Sequence, residues 1–514
     1  MARESRVKKS LLNARINLIC YFVSLLVAFF TRKIFLNQLG TEFIGLTGTL
    51  QSLLGFLNMA ELGVGTAIGY VLYKPIYDND KIKINEIISV FGYLYRCIGL
   101  FIIGAGVVLS LFLPWIFPDI NFSWGVIYFG FYAYLASSML GYFVNYKQTL
   151  LSADQRNYVV TGYFQAATTA KVIVQMILAL TIRNLYVYFA IELLFGIINS
   201  VILQWKINVT YPWLRSEVKL GKQLFKKYPE IGKYVKQLFV HKIGAFVQFQ
   251  LSPFLIYAYV SLPVVALYGN YTLITQRVQS FLTAILNSTG AGVGNLISEG
   301  NKDKIYSVYQ ELLSFRFFIA GYFVMCIYML INRFICVWLG AEYEMSHGVV
   351  VLICVQLFMQ MVREVTDQFI FGYGLFYDTW APLVESFLFV IVSMILGSLY
   401  GLEGVLVGPL ISTFVIVYLW KPYFLFSKGF RYPVYRYWFL LCHNLIVFAV
   451  AAYGAIWIFQ SVIQNIAIND GWTGWITQVA FFTIFMGITS LSCFYVLIPE
   501  FRSFAKRFVL SRNF

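Results

Sequence analysis

Apolar stretches of about 20 residues, bounded by charged, Gly/Pro or Asn/Asp clusters, follow one another along most of this chain, and no other feature constrains its fold as strongly. At 1.5 Å per residue, one such stretch crosses the ~30 Å hydrocarbon layer of a bilayer as a helix. Lipid offers backbone groups no hydrogen-bond partner, so a helix that satisfies its own is the form these runs take. Of 514 residues, 60% are hydrophobic and 12% charged, against roughly half and about a quarter in soluble domains. A soluble globular enzyme is excluded, and an all-α polytopic membrane protein is expected.

Fourteen spans are expected, near 16–36, 44–72, 88–113, 123–146, 158–182, 185–204, 243–262, 265–297, 312–334, 348–371, 380–399, 402–420, 438–460 and 475–498. The first reads as retained rather than cleaved: its apolar core is long, it lacks a small-residue cleavage site, and Arg32 and Lys33 follow it. Orientation comes from Lys and Arg in alternate loops. The side of the N-terminus collects 29, the opposite side 4 (Arg32, Lys33, Arg183, Arg333), and 5 fall within spans. Cytoplasmic loops carry the basic excess, so both termini are expected there. The formal net charge of +15 is thereby topology, and nucleic acid is not an expected partner. Seven scattered cysteines and three histidines give neither a disulfide framework nor a metal site. Nothing resembles a phosphate-binding loop or a catalytic set, so no cofactor and no enzymatic activity are expected.

An internal repeat organises the spans. Asn79-Asp80-Lys81-Ile82 after span two echoes Lys302-Asp303-Lys304-Ile305 after span eight, and Lys147-Gln148-Thr149-Leu150 echoes Asp367-Gln368-Phe369-Ile370, at offsets of 223 and 220 residues. Repeats at one offset in matching order are how many transporter folds announce themselves. The expected division is an N-lobe of six spans (1–204), a basic amphipathic cytoplasmic linker (205–241), a pseudo-symmetric C-lobe of six spans (242–420), and two extra C-terminal helices with a basic tail (421–514). The linker carries Lys at high density with Val218, Leu224, Phe225, Ile231, Val235 and Leu238 at near-helical spacing. It reads as a connector held by anionic lipid or as a capture surface for a phosphorylated substrate.

Charged residues inside the spans locate the function. Each costs about 2.5–3.5 kcal/mol at a helix centre even on the lenient insertion scale, so several of them facing lipid would not insert. Helical spacing aligns Gln51, Asn58, Glu61 and Gly65 in span two; Gln165, Thr168, Lys171 and Gln175 in span five; Asn270, Arg277, Ser280 and Asn287 in span eight; and Gln356, Gln360, Arg363 and Asp367 in span ten. These rows are expected to line a polar, net cationic cavity between the lobes. Lys171 and Arg277 lack a carboxylate one turn away and are the leading cavity cations. Two readings stand for the others: Arg363 and Asp367, four apart, serve the cavity or neutralise each other; Glu61 and Asp367 couple a proton or cation or fix packing; Arg32 and Arg96, near span ends, line the cavity or snorkel.

Several segments resemble the polysaccharide-transport (Wzx-type) flippases of the multidrug/oligosaccharidyl-lipid/polysaccharide (MOP) exporter superfamily. They are Arg32 to Gly40 with Glu42 and Gly45, Glu61-Leu62-Gly63-Val64-Gly65 leading to Leu72-Tyr73-Lys74-Pro75-Ile76, Leu150-Leu151-Ser152-Ala153-Asp154-Gln155 with Tyr158, and Trp338-Leu339-Gly340-Ala341-Glu342-Tyr343. The resemblance implies a two-lobed multi-pass protein of the bacterial cytoplasmic membrane. Its implied cargo is an undecaprenyl-diphosphate-linked oligosaccharide, flipped to the outer leaflet by alternating access for O-antigen or capsule synthesis. Its implied partners are this lipid-linked substrate, the phospholipid bilayer, and the polymerase and glycosyltransferases of the pathway. Lys171, Arg277 and Arg363 suit a diphosphate because ammonium and guanidinium groups donate strongly to phosphate oxygens; these assignments rest on polarity, since no family motif covers them. A cation-coupled drug antiporter of the same superfamily is the alternative, and a membrane glycan polymerase or acyltransferase, disfavoured by short external loops, a third.

Overall fold

Apolar runs bounded by helix-stopping clusters become helices throughout, and a computed structural model of the chain describes residues 6–118, 121–154, 156–286, 293, 296–297, 299–375, 377–463 and 471–510. Among the described residues there is no strand. Eleven helical stretches among the described residues are long and apolar enough to cross a membrane. One of them, Ala381–Phe430, holds two arms: Gly401 adopts φ 57°, and the chain doubles back so that Ser393 Oγ donates to the Val405 carbonyl at 3.0 Å. Spans eleven and twelve are these arms. The expected spans seven and eight lie on helices outside the eleven.

Contacts divide the chain into two units, Met1–Ala266 and Leu267–Phe514. The first contains α1 (Arg6–Leu39), α2 (Thr41–Leu57), α3 (Val64–Asp78), α4 (Lys81–Ile116), α5 (Trp124–Phe143), α6 (Gln148–Ala153), α7 (Asn157–Thr181), α8 (Leu185–Thr210), α9 (Gly221–Lys227) and α10 (Pro229–Tyr259). Helix α11 (Leu262–Leu286) begins at its end. Within this unit α1 lies along α7, α5 and α7 lie along α8, and α10 packs on α2 and α3. Gly55 of α2 leaves room for the Gln250 side chain of α10, and Gly45 for the Leu262 backbone carbonyl at the start of α11. The unit runs through α10 to Ala266.

The second unit contains α12 (Lys302–Trp338), α13 (His347–Gly372), α14 (Ala381–Thr413), the wider π-helical turns Phe414–Trp420 and Leu425–Phe430, α15 (Tyr435–Ile463), α16 (Trp472–Leu497) and α17 (Pro499–Leu510). The C-terminal pair α15 and α16 docks on α12 through Cys326, Leu330, Ala455, Phe459, Phe482 and Met486. Helix α17 closes over the start of α12, where buried Glu311 accepts from Ser503 Oγ at 2.8 Å and pairs with Arg507 at 3.0 Å.

Helices α4 and α12 are alike in length, 36 and 37 residues. Each starts on an Asp or Asn cap, Asp80 accepting from the Lys83 amide at 2.9 Å and Asn301 from the Lys304 amide at 3.1 Å. Such caps satisfy a backbone donor that the first helical turn leaves open.

Candidate substrate-handling residues

Span two is not one helix. After α2, Asn58–Glu61 forms a single 3₁₀ turn, and Gly63 at φ 89° starts α3. A left-handed position suits glycine because no Cβ meets the carbonyl. The straight-helix row Gln51, Asn58, Glu61 and Gly65 is thus broken, yet three of its members still converge. Tyr142 Oη lies 3.1 Å from Asn58 Oδ1 and 3.4 Å from Glu61 Oε2, Tyr95 Oη donates to Glu61 Oε1, and Ser138 Oγ donates to Asn58 Oδ1 at 3.1 Å. Gly65 leaves open the space beside Tyr95 Oη. Gln51 stays on α2 with its side chain exposed. The result is a half-buried carboxylate fixed by two phenols at a helix break.

A second group joins α7 and α8. Lys171 Nζ meets Glu192 Oε1 at 2.7 Å, with the two side chains 18% and 15% exposed. Gln175 Nε2 donates to the Tyr188 carbonyl at 3.1 Å and lies 3.5 Å from Glu192 Oε2. Lys171 lacks a carboxylate on its own helix, and the structure supplies one from the next. Gln165, further along α7, faces Thr169 at 3.5 Å. Arg32 Nη2 donates to the Ala266 carbonyl, in the first turn and a half of α11, at 2.8 Å. Arg96 is exposed on α4, one turn before the exposed apolar positions that begin at Leu100, the place a snorkelling side chain takes.

The second unit gathers two charge groups around α13. Arg316 Nη1 pairs with Glu364 Oε2 at 2.8 Å, and Thr283 Oγ1 donates to Glu364 Oε1 at 2.8 Å. The residue before Glu364 on α13, Arg363, bridges Asp367 at 3.2 Å, Glu385 of α14 at 3.5 Å and Gln360 Oε1 at 3.3 Å. Lys421, between the two π-helical turns, donates to Asp367 Oδ1. Two cations and two carboxylates form one chain. The i, i+4 pair read from sequence is present, extended by Glu385 and Lys421. On α11, Asn270 is fully buried and Arg277 half-buried; Asn287 lies outside the described residues.

Sequence reasoning missed Glu192, Glu385, Lys421, Tyr95 and Tyr142 as partners. For Glu192 the signal existed: with a turn at residues 182–184, Lys171 and Glu192 stand eleven and eight residues from it, at nearly equal depth. Lys171, Arg316, Arg363 and Lys421 each face a carboxylate. A buried ion pair of this kind avoids the cost of an isolated charge, and an ammonium with three N–H donors or a guanidinium with five has more donors than one carboxylate contact takes.

No protein-family model and no curated protein sequence matches the chain significantly, whereas solved structures do. The fold is similar to the lipid II flippase MurJ in its inward closed conformation, with TM-score 0.62 at 13% identity over 95% of this chain and 100% of that one. It is similar to an inward-facing multidrug resistance MATE family transporter of the MOP superfamily, with TM-score 0.60 at 13% identity over 82% of this chain and 98% of that one. A MOP superfamily transporter from Pyrococcus furiosus follows, with TM-score 0.53 at 14% identity over 84% and 98%. At these identities the likeness is one of fold: this chain is built on the helical fold that the lipid II flippase and the MATE transporters share.

Proposed function

We propose that this chain moves an undecaprenyl-diphosphate-linked oligosaccharide across the bacterial cytoplasmic membrane by alternating access, supplying surface polysaccharide synthesis. The observation that carries this reading is the extent of the fold likeness. It spans 95% of this chain and the whole of a lipid II flippase, but 82% of this chain against a drug transporter. The 18% left over is about 93 of 514 residues.

In this reading Arg277, Lys171 and Arg363 bind the diphosphate. Lys171 and Arg363 exchange Glu192 and Asp367 for phosphate oxygens, the stronger multi-acceptor partner. Arg32 supports the same anion from a span end, whereas Arg96 snorkels to the headgroup layer. Gln51, Asn58, Gln165, Gln175, Asn270, Asn287 and Gln360 offer amides to sugar hydroxyls, and Glu61 and Asp367 are the groups through which an ion is coupled. Glycosyltransferases and a polymerase act before and after this step.

The second reading, a cation-coupled drug antiporter, is favoured by the MATE likeness and by the phenol-bound carboxylate of Glu61. Cells lacking the protein separate the two. Loss of surface glycan with lipid-linked precursor retained inside supports the flippase; raised drug retention with normal surface glycan supports the antiporter. New glycosidic or ester bonds made by the purified protein would overturn both in favour of a membrane enzyme.

A further inference from the structure

The linker between α8 and α10 is fastened to α4 along its whole length. The Arg215 amide donates to Asn85 Oδ1 at 2.9 Å and the Glu217 amide to Ser89 Oγ at 2.8 Å. Gly221 lets its backbone close on the Ser89 carbonyl, and Gly92 lets Val218 close on α4. Lys227 Nζ donates to both Glu86 oxygens at 2.8 Å, and Tyr228 Oη donates to the same carboxylate. Cation–π contacts add Lys81 over Trp213 at 5.6 Å and Lys83 over Tyr228 at 5.9 Å. Glu86 therefore uses up one lysine of the segment. Lys219, Lys222, Lys226, Lys233 and Lys236 are exposed, and among the described residues none of them is in an ion pair. Lys219, Lys222 and Lys226 follow one another at steps of three and four, one helical face, with Leu220 43% exposed beside them.

The height of this surface identifies what it meets. At 36 residues, α4 is about 54 Å long, well beyond the ~30 Å hydrocarbon layer. Apart from Ile82 in its first turn, its exposed large apolar side chains run from Leu100 to Trp115, and Arg96 marks the near edge. Ser89, the middle anchor of the linker, is about 10 Å further along the helix. The headgroup layer is roughly 5–8 Å deep on each side, and charges act over about 8 Å more at physiological salt. By the Lys and Arg bias this is the cytoplasmic side, where anionic lipids face basic clusters.

We propose that segment 213–236 is a preformed docking surface for anionic phospholipid headgroups of the cytoplasmic leaflet, with Lys219, Lys222, Lys226, Lys233 and Lys236 as its contacts. The anchors on α4 hold Lys219, Lys222 and Lys226 in place before lipid binds, which lowers the ordering cost of the contact. Each lysine near such a surface is worth about fivefold in binding. The full-length protein is reconstituted in nanodiscs of phosphatidylcholine alone or with rising phosphatidylglycerol, and hydrogen exchange of peptides within 213–236 is followed by mass spectrometry. Exchange slows as phosphatidylglycerol rises, and added salt reverses the effect. Lys222→Gln with Lys226→Gln, which touches none of the anchors, weakens the apparent affinity roughly 25-fold. Equal exchange in both lipids, or an unchanged response in the double variant, overturns the proposal. So does protection that needs undecaprenyl diphosphate in neutral nanodiscs, because the surface would then read the substrate rather than the membrane.

Discussion

Replacing Glu192 by Gln keeps the shape of the α7–α8 contact and removes only its negative charge. Lys171 Nζ, 2.7 Å from that carboxylate and on a side chain 18% exposed, is left with a neutral acceptor. Removing one partner of a buried ion pair costs about 3–5 kcal/mol, whereas replacing both by apolar groups of similar volume is often neutral or stabilising. The remaining exposure of both side chains puts the single substitution near the lower end, about 3 kcal/mol. Thermal unfolding of purified Glu192→Gln, Lys171→Met/Glu192→Leu and the parent, in one detergent, measures the ordering. The single variant unfolds first and the double variant near the parent. Equal destabilisation of single and double, or no effect of the single, refutes the pairing as the reason both charges are tolerated. The double variant also separates architecture from transport. It folds without the Lys171 ammonium, so it fails to move a diphosphate substrate if Lys171 grips it.

Four further outcomes follow from other contacts. Gly45→Ala places a methyl group against the Leu262 backbone, which cannot rotate away as a side chain would; overpacking of this kind costs about 1–3 kcal/mol, read as a lowered unfolding temperature, and an unchanged one contradicts the close approach. Lys421→Met removes one of two cations on Asp367 and destabilises the second unit, while Lys421→Met with Asp367→Asn recovers part of the loss in the same unfolding assay; no recovery contradicts the coupling. Arg277→Ala abolishes surface glycan export with the protein still inserted, whereas Arg96→Gln, at the membrane edge, leaves export at the parental level; the reverse pattern exchanges their roles. Glu311→Gln loosens α17, since Ser503 and Arg507 both hold that carboxylate, and protease cleavage within Pro499–Leu510 rises in the variant.

Much of the architecture was legible because hydrocarbon allows so few solutions. A run such as 88–113 or 438–460 in a bilayer is a helix, and α4 and α15 are where those runs lie. The break in span two was less legible. Gly63-Val64-Gly65 reads equally as a span end or as small residues for packing, and only the φ of 89° at Gly63 turns it into a joint. Charge partners were legible only within one helix. Arg363 and Asp367 are one turn apart and were paired, whereas Lys171 with Glu192, and Asp367 with Lys421, meet across 21 and 54 residues. Spacing along a helix carries no information about a neighbour's depth unless a short turn fixes it, as it does between α7 and α8. The packing of α10 was illegible for a related reason: nothing in the sequence marks Gly55 of α2 as the position where Gln250 of α10 presses in.

The central claim, movement of a lipid-linked diphosphate glycan, is tested most directly with purified protein in liposomes. A fluorescent undecaprenyl-diphosphate oligosaccharide is loaded in both leaflets, and an impermeant quencher is added outside. Without the protein, half of the signal stays protected; with it, the protected fraction falls towards zero, and Arg277→Ala restores the protection. A protected fraction that the parent protein leaves unchanged, in liposomes where the same preparation exchanges a cationic drug for an ion, contradicts the flippase and supports the antiporter.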